Sequence, residues 1–424
     1  MNITAVIMAG GKGTRIREIN SEVPKPMIPV LGKPILQYEI ETLKSQDITD
    51  IVLVTGYLGE QIVSYFGDGS RFGVHIRYIE EKEPLGTAGS MFYLKGNVSD
   101  DFLLLNGDNL FSVDIQRFYD AHVKNHCLAT ILTHPNNHPY DSGVIVANKE
   151  GLVKKWMTKE EERLWYRNRV NAGLHFFNKK ILDRFTKVKK TDLDREVLKP
   201  LILEKQLYVY DSPEYIKDMG TPDRYYQVID DIRNNKPEIR NLSHRQKAIF
   251  LDRDGTINKY VGFLRNIDDF ELLPGVAQAI RFINQSEYLA IVITNQPVIA
   301  RGEVTFSQLD EIHNKMETLL GREGAYIDGL YYCPHHPDKG FEGEVPELKI
   351  DCDCRKPKPG MLLKAAKDFN IDLSQSWMIG DGKNDILCGI HGGCKTAYIG
   401  SEKIDMKPDV VADNLLNAVK KILG

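Results

Sequence analysis

Two kinds of hydrophobic spacing alternate along the chain. Short β-branched runs at 5–8, 51–55, 74–80, 102–106 and 129–133 read as buried strands, and 35–43 and 59–66 carry apolar residues at helical spacing. Strand and helix in turn predict a largely parallel sheet covered by helices. A second series opens at Lys247, with strands at 248–252, 290–295, 377–381 and 396–399 and helices at 275–285, 306–320 and 361–369. Between the two, 230–246 reads DDIRNNKPEIRNLSHRQ, polar and without apolar period, which predicts a joint. The expected organisation is an α/β chain with domains at 1–232 and 247–424 and a linker at 233–246.

Length agrees with this division, because 424 residues exceed what one core usually supports. A composition of 42% hydrophobic and 27% charged residues belongs to a soluble globular chain. The net charge of −4 offers no basic surplus, which argues against nucleic acid and membrane surfaces as partners. No apolar run reaches the roughly 18–20 residues of a bilayer span, and the start lacks a cationic leader, so a cytoplasmic location is expected. Of six cysteines, five lie in the last third, a clustering that favours a metal site over disulfides. Oligomeric state stays open.

The first strand runs into Gly10-Gly11-Lys12-Gly13-Thr14-Arg15, where small residues let backbone N–H groups approach an anion, and a polyphosphate is the expected guest. Pro24-Lys25-Pro26-Met27-Ile28-Pro29-Val30 and Gly32-Lys33-Pro34 follow, with prolines stiffening the chain around two cations. These segments resemble the sugar-1-phosphate nucleotidylyltransferases, over Met1 to about Ile229. The resemblance implies a Rossmann-like fold that joins a nucleotidyl group to a sugar 1-phosphate and releases pyrophosphate. It gives Leu85-Gly86-Thr87-Ala88-Gly89 to the base, with GTP as donor, Asn171-Ala172-Gly173 to the sugar, and Asp108 and Asp218 to Mg²⁺. Arg15 and Lys25 would neutralise the phosphates, and Lys159 would grip the sugar phosphate. Two segments depart from the family pattern, Trp156-Met157-Thr158-Lys159-Glu160 and Asp192-Leu193-Asp194.

In the second half, Asp252-Arg253-Asp254-Gly255-Thr256 closes a buried-type strand and delivers two carboxylates onto a glycine turn. Such a pair suits nucleophilic attack on phosphorus with proton transfer from the neighbour. Thr294-Asn295-Gln296, Arg355-Lys356-Pro357 and Gly380-Asp381-Gly382-Lys383-Asn384-Asp385 follow, two of them at strand ends. The set resembles the haloacid dehalogenase superfamily. It implies Asp252 as nucleophile, Asp254 as acid and base, and Thr294, Asn295, Arg355 and Lys356 as phosphate ligands. Asp252, Asp254 and Asp381 would hold Mg²⁺, with Asp385 assisting, while Lys358 reads as a solvent-facing charge. Cys333-Pro334-His335 and Cys352-Asp353-Cys354 supply four ligands suited to a structural Zn²⁺. Together these motifs resemble the D,D-heptose 1,7-bisphosphate phosphatases and their histidinol-phosphatase relatives, except that Pro297-Val298 replaces the family's Ser-Gly.

A phosphatase that removed the anomeric phosphate would destroy its partner's substrate, so a distal phosphate is the expected target. The combined expectation is a bifunctional enzyme of nucleotide-activated heptose synthesis for surface polysaccharide. It would trim heptose 1,7-bisphosphate at C7 and transfer GMP from GTP to the heptose 1-phosphate. The alternatives are another sugar or histidinol phosphate as substrate, and a non-catalytic sensor of sugar nucleotides.

Overall fold

The computed structural model describes residues 2–424 except Lys12, Arg17, Ser21, Phe341, Glu402 and Lys403. Lys12 of the glycine loop and the Thr14 side chain therefore lie outside the described residues. The chain divides into two compact units. One comprises Met1–Thr133, Ile145–Trp156 and Asn171–Asn241, the other His134–Val144, Met157–Val170 and Leu242–Gly424.

A nine-stranded sheet forms the first unit, with Val170–Asn178, Asp101–Asn106, Thr4–Met8, Asp50–Thr55 and His75–Glu80 as successive neighbours. The last four run parallel, and Val170–Asn178 runs antiparallel to Asp101–Asn106. Both faces are covered, which is why these strands read as unbroken apolar runs. Ala5, Ile7, Leu103 and Leu105 pack with Leu36, Ile40 and Leu43 of the Ile35–Ser45 helix, whereas Val6 and Leu104 point to a second cluster on the opposite face. The parallel register pairs Met8 with Asn106, so the glycine loop and the Asn106-Gly107-Asp108 turn emerge side by side, with Gly107 N donating to Met8 O at 3.0 Å.

Six parallel strands form the second sheet, ordered Gly329–Cys333, Tyr288–Asn295, Lys247–Leu251, Trp377–Gly380, Lys395–Ile399 and Val410–Ala412. The chain leaves Lys247–Leu251 in one direction and later returns to its other side. That reversal opens a crevice at the carboxyl ends of the central strands, where α/β sheets place ligands. Ile249 and Leu251 pack into one core, Ala248 and Phe250 into the other. The Phe306–Arg322 helix covers one face and starts with a capping box: Gln308 N donates to Thr305 Oγ1 at 3.2 Å and Thr305 N to Gln308 Oε1 at 2.9 Å.

This unit also takes in His134–Val144 and Met157–Val170. Tyr166 N donates to Thr318 Oγ1 at 2.8 Å, and Arg169 Nη1 lies 3.3 Å from Glu317 Oε2. Arg169 and Glu317 both have 4% side-chain exposure, so the pair is fully desolvated. Arg169 Nη2 donates in addition to Asp328 O at 3.3 Å. Among the described residues no helix is long and apolar enough to cross a membrane.

Candidate active sites

In the first unit the Tyr215–Asp218 strand pairs antiparallel with Asn109–Ser112 and sets Asp218 opposite Asn109, so Asp108 and Asp218 meet at one end of the ribbon. Each carboxylate already holds a cation. Lys25 Nζ donates to Asp108 Oδ2, and Arg224 Nη1 reaches Asp218 at 2.9 and 2.7 Å. Burial opposes the charge on Asp218, but Arg224 and the Gly220 N–H outweigh it and hold the carboxyl below its usual range. Arg15 belongs to the same cluster, since a Cβ on Gly220 would lie 3.5 Å from Arg15 Nη2. Gly13 is held at φ +56°, and a Cβ there would come within 2.8 Å of Lys25 Cβ, so the glycine loop lies directly against the lysine. A Cβ on Gly10 would meet Glu81 Oε2 at 2.9 Å, whereas one on Gly11 would meet nothing within 4 Å.

Two residues the sequence did not mark shape this site. Arg224 sits in the first turn of the Pro222–Arg233 helix with no motif of its own. Glu39, 1% exposed, accepts the Asn109 N–H at 2.8 Å and pins the turn behind Asp108. Burial pushes its carboxyl well up.

Gly86 and Thr87 are exposed on the loop that bridges to Thr191, and Thr87 Oγ1 accepts Leu193 N at 2.7 Å. Asp194 lies just beyond, its carboxyl pushed up to about 6 by burial and then by Asp192. Asn171 Oδ1 accepts Gly173 N at 3.1 Å and faces His175 Nε2 at 3.1 Å. Lys159 is exposed on the turn after the Val153–Met157 strand and belongs to the second compact unit.

His175 supplies a pH test. The ring is 1% exposed, and burial pushes it down to about 3 from 6.5. As pH falls through that window the unfolded chain gains a proton that the fold refuses, which costs roughly 1.4 kcal/mol of stability per pH unit. His175→Gln is therefore expected to lose roughly 2 kcal/mol less than the parent between pH 7 and pH 5, measured by calorimetric unfolding.

In the second unit the crevice brings together side chains from four places in the sequence. Carboxylate oxygens of Asp252, Asp381 and Asp385 lie within 4.8 Å of one another. Lys356 Nζ sits among them, 2.6 Å from both Asp252 Oδ1 and Asp385 Oδ1. Burial, then the charge of Asp385, pushes Asp252 up to about 7, and burial followed by Asp252 pushes Asp381 up to about 6. Asp252 and Asp381, both with raised affinity for protons, crowd with Asp385 into a donor set that a hard divalent cation fits. Gly255, at φ +86°, makes room for them: a Cβ there would lie 1.9 Å from Asp381 Oδ2. Asp385 also accepts Gly382 N at 3.0 Å, which seats it at the start of its helix.

Asp254 stands apart from that trio. Its carboxylate accepts from Arg253, Gln296 and Asn258. Thr294 is buried, its hydroxyl 2.9 Å from Gln296 Nε2. Asn295 clamps the Lys356 backbone on both sides, accepting its N–H and donating to its C=O at 3.0 Å each. Arg355 Nη1 donates to His335 O at 3.2 Å. Lys358 is 42% exposed and pairs with Asp351, as expected of a surface charge. At the position where the family has Ser-Gly, Val298 is buried and Pro297 O accepts Arg301 N at 3.0 Å.

Cys333, His335, Cys352 and Cys354 converge within 4.8 Å. Their sulfur–sulfur separations are 3.5, 3.1 and 3.3 Å, and His335 Nδ1 lies 3.3 Å from Cys354 Sγ. A tetrahedron with ~2.3 Å zinc–sulfur bonds has edges of about 3.8 Å, so the four donors surround a space of the right order. No cysteine is in a disulfide, and Cys388 and Cys394 are buried in the core.

Two α/β units, each ending its central strands in carboxylates and cations, define a class of protein that handles phosphorylated small molecules. Residues 4–235 match the family described as nucleotidyl transferase, and 353–418 match the one described as HAD-hydrolase-like. The D-glycero-beta-D-manno-heptose-1,7-bisphosphate 7-phosphatase of Haemophilus ducreyi is 41% identical over 177 residues, 41% of this chain and 94% of the relative. The enzyme of the same name from Escherichia coli K12 is 40% identical over 174 residues, 41% of this chain and 89% of the relative. A crystal structure of HddC from Yersinia pseudotuberculosis superposes with a TM-score of 0.47 at 24% identity, covering 54% of this chain and 99% of that one. The chain belongs to the nucleotidyl transferase family through its first half and, through its second, to the family of these heptose bisphosphate phosphatases.

Proposed function

We propose that the protein catalyses two consecutive reactions of heptose activation. The second half removes the 7-phosphate of D-glycero-D-manno-heptose 1,7-bisphosphate. The first half transfers GMP from GTP to D-glycero-α-D-manno-heptose 1-phosphate and releases pyrophosphate. The observation that carries this reading is the 41% identity to a 7-phosphatase across nearly its whole length, on a chain whose other half is a nucleotidyl transferase. The HAD-hydrolase-like match over 353–418 contains Lys356 and Asp381.

In the phosphatase crevice Asp252 attacks phosphorus and the bond from phosphorus to the sugar oxygen breaks. Asp254 gives that oxygen its proton. Water then attacks the aspartyl phosphate, Asp254 takes a proton from it, and phosphate leaves as Asp252 is restored. Lys356, whose ammonium is stabilised by Asp252 and Asp385 against its own burial, orients the nucleophile. Asp252, Asp381 and Asp385 would hold Mg²⁺, which would offset charge on the phosphoryl oxygens. In the first unit Asp108 and Asp218 would hold the same ion, in place of the Lys25 and Arg224 contacts they now make. The sugar phosphate oxygen attacks the α-phosphorus and the bond to pyrophosphate breaks, with Lys25 and Arg15 meeting the charge that develops.

The test is a substrate panel on the full-length protein. Heptose 1,7-bisphosphate of either anomer is offered with each NTP, following phosphate and pyrophosphate separately. Phosphate release with GTP-dependent pyrophosphate release is expected. Pyrophosphate only with another NTP refutes the choice of base, and cleavage of histidinol phosphate in preference to heptose refutes the choice of sugar.

Cys333, His335, Cys352 and Cys354 would hold a structural Zn²⁺. Elemental analysis is expected to find one zinc per chain and none in Cys333→Ser/Cys354→Ser. The second unit of that variant should melt roughly 5 °C or more lower. An equal zinc content in the two proteins would refute the assignment.

A further inference from the structure

The nucleophile strand delivers a third charged residue between its two aspartates. Arg253 has 0% side-chain exposure, and a cation so buried is tolerated only when its donors are used. Its Nη2 lies 2.8 and 2.9 Å from the two oxygens of Asp254 and 3.0 Å from Gln296 Oε1. Its Nη1 lies 3.1 Å from Nε2 of His313, on the Phe306–Arg322 helix. Burial and then the charge of Arg253 hold the His313 ring well below its usual range, so it is neutral. A guanidinium only donates, so His313 Nε2 accepts and the ring proton sits on Nδ1. Gln296 closes the circuit with Nε2 donating to Asp254 Oδ2 at 2.8 Å. Asp254 keeps 20% side-chain exposure and is the member of the Arg253 pair that a ligand can reach.

We propose that Arg253 and His313 are positioning residues of the phosphatase: a buried pair that fixes the direction in which Asp254 presents its carboxyl group to the departing sugar oxygen. The inference rests on the phosphatase reading above. As the Asp252–phosphorus bond forms and the bond from phosphorus to the sugar oxygen breaks, the Asp254 proton passes to that oxygen. A sugar alkoxide needs this proton to leave. Nitrophenolate does not, so the two leaving groups separate a misdirected acid from a general loss of structure.

Full-length parent, His313→Leu, His313→Gln and Asp252→Asn are compared on heptose 1,7-bisphosphate and on p-nitrophenyl phosphate. His313→Leu removes the acceptor and is expected to lose on the order of 10- to 100-fold in kcat on the bisphosphate, with a loss about tenfold smaller on p-nitrophenyl phosphate. His313→Gln retains an acceptor and should recover most of the difference. Where the leucine variant fails to fold, His313→Asn, too short to reach Arg253, takes its place. Equal losses on the two substrates, or none, while Asp252→Asn is inactive, overturn the positioning role alone. Activity retained by Asp252→Asn overturns the phosphatase reading, and this proposal with it.

Discussion

Asp252→Asn is expected to abolish phosphate release, by on the order of 10³-fold or more, while nucleotidyl transfer by the same preparation persists. The amide keeps the shape of the carboxylate but cannot attack phosphorus. Stability should not suffer. Burial and Asp385 push the Asp252 carboxyl up to about 7, so the fold disfavours its charge relative to the unfolded chain. Above the unfolded value of 3.8 that difference is a cost, which grows until pH passes about 7, and a neutral amide removes it. The melting temperature at pH 8 is therefore expected to hold or rise. Parallel assays of phosphate and pyrophosphate check the result, and joint loss of both activities would refute separate sites.

Arg169→Met is expected to destabilise the second unit by about 3 kcal/mol, although the residue lies in the first half of the sequence. The substitution leaves Glu317, at 4% exposure, with Arg167 as its ion-pair partner at 3.9 Å. It also strips a donor from Asp328 O. Replacing both charges, in Arg169→Met/Glu317→Gln, should recover part of the loss, because the buried carboxylate, left with the longer Arg167 contact, is the larger share of it. Thermal unfolding of the three proteins measures this, and an unchanged melting temperature in the single variant would show that the pair contributes nothing. A fragment beginning at Lys247 lacks Tyr166, Asn168 and Arg169, and should be less stable than the same unit in the full chain.

Much of each site was legible because its chemistry is local. A strand that ends in Asp252-Arg253-Asp254-Gly255-Thr256 must set its carboxylates at the strand's carboxyl end, and the apolar run before them states that the strand is buried. The Lys25 segment and the Asn106-Gly107-Asp108 turn are legible for the same reason, and so are the two cysteine pairs. The strand at Gly329–Cys333 carries Cys333 to the sheet edge. It was not among the expected elements, since Tyr331 and Tyr332 interrupt the apolar pattern. The Asp254 carboxylate faces Arg253. The spacing of the two aspartates could not show this, because side-chain direction is settled by Gln296 and His313, which come from elsewhere in the fold.

The amino-acid sequence by itself determined which chemistry each half carries, because strand-end motifs and ligand pairs are short-range patterns whose meaning survives without coordinates. Only the tertiary structure decided the partners of the buried charges. Arg169 meets Glu317 across 148 residues and Lys356 meets Asp252 across 104. No periodicity records such separations, yet the desolvation of each ion makes its partner obligatory.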